Sequence, residues 1–106
     1  MTGSGNLSTR IDHLGIAVRS IEKALGFYER ELGLTVGPQE TVEAEKVRVA
    51  MLPLEGSRIE LLEPTEEDSV IGKFLAKRGE GLHHVALRVD GIDAMFARLK
   101  AQGIRL

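Results

Sequence analysis

Apolar and polar positions alternate through residues 11–18 (IDHLGIAV), and apolar residues then recur at Ile21, Leu25, Tyr28 and Leu32. The period changes from two to nearly four, which predicts a strand running into a helix. Ser20 suits the N-cap of that helix and Gly33 its close. From Leu34 the pattern returns to strand, as a short LTV piece, then residues 46–54 (KVRVAMLPL), a turn at Glu55-Gly56, and residues 57–63 (SRIELLE). An acidic loop with a proline follows over 63–68. Ser69 then caps a short connecting helix with Val70, Ile71, Phe74 and Leu75 on one face, closed near Gly79. A strand over 82–89 (LHHVALRV), a turn at Asp90-Gly91, and a helix carrying Ile92, Phe96 and Leu99 up to Gly103 complete the chain. Leu25, Tyr28, Phe96 and Leu99 read as core.

Strand followed by helix thus occurs twice, and the two segments superpose when His84 is placed on His13. Ile21 then falls on Ile92, Leu25 on Phe96 and Tyr28 on Leu99, and one insertion aligns Gly33 with Gly103. Strand side chains alternate between faces. Leu14, Ile16 and Val18 therefore share a face suited to a helix, while His13, Gly15 and Ala17 share the other. Val85, Leu87 and Val89 divide in the same way from His84, Ala86 and Arg88. In SRIELLE, Ile59 and Leu61 take the aliphatic role, so Glu60 points oppositely. Faces lined by Gly and Ala predict a hollow, and His13, Glu60 and His84 are the three groups able to face it. Two imidazoles and a carboxylate suit Zn, Mn, Co, Ni or Fe rather than Ca. The alternative is that each histidine simply satisfies hydrogen bonds within its strand. His83 has the opposite parity and reads as structural. Arg88, four residues after His84, has the parity to meet a substrate carboxylate, or is an ordinary arginine at a strand end.

The chain has 106 residues, 14 Lys and Arg against 16 Asp and Glu, and no Cys. That balance gives no electrostatic reason to expect nucleic acid or an anionic membrane as partner. Without Cys there are no disulfides, thiolate metal sites or cysteine nucleophiles. Only three Phe and one Tyr are present, so the core must be aliphatic. No apolar run approaches the roughly 20 residues of a membrane span. The expected protein is soluble and cytoplasmic, with a loose polar tail over 1–9 and one domain over 10–106. Glu63, Glu66, Glu67 and Asp68 read as solvated loop charges.

IDHLGIAV, FYERELG, IELLEPTEEDSVIGKFL and GLHHVALRVDGIDA together resemble the methylmalonyl-CoA epimerase family of the vicinal oxygen chelate superfamily, which also holds lactoylglutathione lyases, extradiol dioxygenases and bleomycin-resistance proteins. The resemblance runs from about residue 10 to 106. It implies an α+β fold of paired βαβββ modules around one divalent metal ion (Co, Mn, Zn or Ni). Module one would span about 10–65, a linker helix about 69–79, and an incomplete second module about 82–106. The implied ligands are His13, Glu60 and His84. A fourth, a glutamate on the last strand of module two, has no counterpart among these residues, and a missing C-terminal segment of roughly 25 to 35 residues would supply that strand and its neighbours.

The resemblance also implies epimerisation of methylmalonyl-CoA at C2, with Arg88 a candidate for the substrate carboxylate, and a homodimer by analogy. The family takes one of its two bases from the meander. Here strand 46–51 presents Lys46 and Arg48 instead, while Glu43 and Glu45 lie just upstream with an acidic, solvated edge as their simpler reading. A lactoylglutathione lyase-type isomerase is the alternative enzyme, and a metal-free small-ligand-binding protein of the same fold is the alternative without catalysis.

Overall fold

The computed structural model describes residues 9–105, so the expected tail lies almost wholly outside the described residues. The elements are β1 (Arg10–Ala17), α1 (Ile21–Leu25), β2 (Gln39–Val42), β3 (Val47–Leu54), β4 (Ser57–Pro64), α2 (Val70–Arg78), β5 (Gly81–Arg88) and α3 (Ile92–Ala101). Five strands form one sheet in the order β2-β3-β4-β1-β5. β4 runs antiparallel to β3 and parallel to β1, with Gly15 opposite Glu60 and Glu60 opposite Met51. This is the α+β, βαβββ arrangement that the resemblance implies, followed by the strand and helix that repeat its opening.

The first helix differs from expectation. Ser20 caps it, its side chain accepting from the Lys23 N–H, but α-helical turns stop at Leu25 and the chain continues as π-helix over Gly26–Glu31. The Leu32 N–H reaches the Phe27 carbonyl at 2.8 Å, a five-residue step that widens the last turns. The expected LTV strand is absent. Leu34 and Val36 instead pack as irregular chain against the core, and the outer strand of the meander is formed by Gln39–Val42, whose polar sequence hides it from a search for apolar alternation.

Contacts gather residues 11–86 into one compact unit and, among the described residues, assign 9–10 and 87–105 to a second. In the first, the sheet buries both faces. Ala50, Leu52 and Leu61 join Val18 and Ile21 beneath α1, with Leu25 and Tyr28 packed against them as the period predicts. On the other face Ala17, Val49 and Leu62 meet Ile71 and Leu75 of α2, so helix fills one end of the face expected to be hollow. In the second unit one of the two expected core positions, Phe96, is exposed, and Leu99 is half-buried. α3 has no fully buried residue, and Phe96 is 49% exposed. Val85 on β5 is also exposed, since β5 is an edge strand.

Ser69 is the buried polar group that anchors α2. Its hydroxyl donates to the Glu66 carbonyl at 2.7 Å and accepts from the Gly72 N–H at 3.0 Å. Ser69→Ala removes both bonds and is expected to cost about 1–2 kcal/mol, read as a lower urea midpoint at unchanged m. An unmoved midpoint contradicts the capping account.

Candidate metal and substrate site

β1 lies between β4 and β5, and this order brings together residues distant in sequence. His13 and His84, 71 positions apart, meet with their Nε2 atoms 3.1 Å from each other and their rings edge-on at 88°. The His13 Nδ1 stands 2.8 Å from Asp12 Oδ2. A carboxylate only accepts, so His13 carries its proton on Nδ1 and presents the Nε2 lone pair towards His84. On β4, Arg58 Nε donates to Glu60 Oε2 at 2.7 Å, and its NH1 is 3.3 Å from Asp12 Oδ2. Glu60 Oε2 is 3.7 Å from the His13 Nδ1. One guanidinium thus lies between two carboxylates, and with neutral imidazoles the cluster carries a net negative charge that favours a cation.

His84 is held below the ordinary histidine range, first by burial and then by the neighbouring His83 and His13, against the opposing pull of Glu60. Below the ordinary value of 6.5 an unfolded chain takes up a proton at this position that the folded chain resists. Stability of the metal-free protein is therefore expected to be flat above that pH and to decline as pH falls towards the folded value. Melting temperatures taken in chelator from about pH 8 to 5 should fall more steeply than those of His84→Gln. Parallel curves would contradict this.

His83, read as structural, stands closer to the site than its parity suggests. Its Nδ1 is 2.9 Å from that of His84, and its ring packs edge-on against Phe74 at 4.9 Å. Together with His84 and Glu45 it borders an apolar hollow of about 200 Å³ walled by Val42, Val47, Leu62, Val70 and Ile71. The hollow is what α2 leaves of the face predicted to be open.

The donor set suits a divalent ion. The two Nε2 atoms lie within reach of one small ion, and Glu60 carries an anionic oxygen on the same face, 3.7 Å from the His13 Nδ1. Among the described residues no three His, Asp or Glu side chains stand as a complete ligand set; the Glu60 carboxylate faces the Nδ1 side of His13 and accepts from Arg58.

The other candidates are placed as follows. Arg88 is exposed at the end of β5. Glu43 and Glu45 form a 3-10 turn before β3. Arg48 stands 3.6 Å from Glu63, which accepts from the Ile21 N–H at 2.7 Å and so holds the start of α1. Of the acidic loop, Glu66 and Asp68 pair with Lys46, whose ammonium they push above its ordinary value, led by the Glu66 hydrogen bond. Asp12 and Arg58 were not legible as site residues. The signal available was adjacency, Asp12 beside His13 and Arg58 two positions before Glu60 on the same face.

Residues 12–106 match the family model of the Glyoxalase/Bleomycin resistance protein/Dioxygenase superfamily. The mitochondrial methylmalonyl-CoA epimerase of Homo sapiens is 38% identical over 106 residues, covering 99% of this chain and 60% of that protein. The chain thus spans less than two thirds of this mammalian relative. The crystal structure of methylmalonyl-CoA epimerase from Mycobacterium tuberculosis superposes with a TM-score of 0.85 at 37% identity, over 99% of this chain and 71% of that one. A Streptomyces coelicolor methylmalonyl-CoA epimerase in complex with 2-nitronate-propionyl-CoA superposes at 0.79 with 43% identity, over 91% and 73%. With a βαβββ sheet that joins His13 to His84 and a family match over nearly its whole length, the chain belongs to the Glyoxalase/Bleomycin resistance protein/Dioxygenase superfamily, where its named relatives are methylmalonyl-CoA epimerases.

Proposed function

We propose that the protein interconverts the (R) and (S) forms of methylmalonyl-CoA with the help of one divalent metal ion. The observation that carries this reading is the meeting of His13 and His84 beside Glu60 and an apolar hollow, in a chain similar to methylmalonyl-CoA epimerases. His13, His84 and Glu60 would hold the ion, whose identity among Co, Mn, Zn and Ni the donor types leave open. When bound, such an ion supplies Lewis-acid stabilisation of negative charge developing on the substrate oxygens.

The chemistry requires that stabilisation because the C2–H bond, between a thioester and a carboxylate, is only weakly acidic. The chain's own residues set the conditions. Asp12 fixes the His13 tautomer so that Nε2 is the donor atom. The Val42, Val47, Leu62 and Ile71 walls put an apolar surface beside His84, and an apolar surround strengthens electrostatic interactions at its edge. Arg88 is proposed to pair with the substrate carboxylate.

The same reading treats residues 10–106 as one glyoxalase-like domain with an incomplete second module, acting as a cytoplasmic homodimer. It is supported by the repeat of strand and helix and by the exposed Leu82 and Val85 on the edge strand β5. No helix among the described residues is long and apolar enough to cross a membrane. The test is incubation with (R)- or (S)-methylmalonyl-CoA in D2O with each candidate ion. Deuterium entry at C2 together with formation of the other epimer is expected. Neither change with any of the ions refutes the proposal.

A further inference from the structure

Among the described residues six glycines take a positive φ, and Gly15 is not one of them. Its backbone would accept any residue, so the reason for glycine at this point of β1 is spatial. A Cβ at Gly15 would overlap Cε1 of His84 and stand 2.6 Å from both ring nitrogens. The His84 imidazole therefore occupies the volume that any other side chain at residue 15 would fill. Gly15 is also the register partner of Glu60, and lies two positions beyond His13 on the same face. The missing Cβ thus lies on the face that carries the three candidate ligands, against the ring of His84.

We propose that Gly15 is a positioning residue of the metal site, its missing Cβ forming the slot in which the His84 ring lies with Nε2 against that of His13. The inference rests on the metal-binding reading of the pair. The three nearest neighbours of the added carbon are all atoms of the His84 ring, the far end of a rotatable side chain. A methyl group there evicts the imidazole and leaves the pairing of β1 with β4 in place. Affinity for the ion is lost and the fold is kept.

The experiment is a cycle of wild type, Gly15→Ala, His84→Ala and the double variant, each titrated with Co²⁺ and with Zn²⁺ by calorimetry and melted without metal. Gly15→Ala is expected to weaken binding of the ion at least tenfold. The double variant should bind no more weakly than His84→Ala alone, because the two changes remove the same ligand. Without metal, Gly15→Ala should lower the melting temperature when His84 is present and not when residue 84 is alanine, since the overlap then has no partner. Wild-type affinity in Gly15→Ala, or a melting loss independent of residue 84, overturns the inference. A wild-type protein that takes up neither ion overturns the metal reading beneath it. The metal-free melting cycle still reports separately whether Gly15 seats the ring.

Discussion

His13→Ala and His84→Ala are each expected to remove divalent-ion binding and to lower kcat/KM for methylmalonyl-CoA by about three orders of magnitude or more. The size follows from what the ion does. Stabilising the charge of an enolate is worth several kcal/mol, and each 1.4 kcal/mol or so corresponds to a factor of ten in rate. Neither change should unfold the protein, because both side chains lie on the face beside the hollow and outside the two buried clusters. Elemental analysis of purified protein, proton exchange at C2 and circular dichroism measure the three quantities separately. Retention of both ion and turnover by either variant removes that histidine from the site. Arg88→Gln provides a contrast, with a raised KM and unchanged ion content if its role is to receive the carboxylate.

The sheet that brings these histidines together was legible because its determinants are local. The two-residue period of strand side chains in IDHLGIAV and SRIELLE assigned His13 and Glu60 to the face opposite the aliphatic residues, and the repeat of strand and helix put His84 in the equivalent place. β1 and β4 do pair with Gly15 opposite Glu60. What escaped depended on interactions the alternation does not encode. Gln39–Val42 is a strand because β3 offers it a ladder, although its own residues are polar. The π-helical turns after Leu25 respect the apolar spacing while changing the backbone bonds beneath it. Parity placed His83 away from the site, yet a side chain at the edge strand turns its ring nitrogen towards His84. Phe96 has helical periodicity, but burial requires an opposing surface, which periodicity does not supply. The partnership of Arg58 with both Asp12 and Glu60 depends on the β1–β4 register, and so emerges only once the strands are paired.

The largest loss of stability is expected at Leu61. It is fully buried on β4, with β3 on one side and β1 on the other, and its side chain lies in the cluster beneath α1. Leu61→Ala leaves a cavity that its neighbours cannot close, because Ala50 is already small and Leu52 is itself completely buried. Such substitutions cost about 3–5 kcal/mol, a large part of the roughly 5–15 kcal/mol that holds a domain together. Urea titration should show a midpoint lowered accordingly, while Leu61→Met, close in volume, should cost less than about 1.5 kcal/mol. Near-equal midpoints for the two variants would mean that the site collapses around the smaller side chain. The consequence for the metal site is separable. Leu61 precedes Leu62 and follows Glu60, both of which point to the opposite face, so its truncation loosens the strand from behind. Below the unfolding transition Leu61→Ala should therefore retain the divalent ion with wild-type stoichiometry, whereas His84→Ala keeps the urea midpoint and loses the ion. That crossed pattern is what separate faces of one sheet require, one supplying stability and the other the ligands.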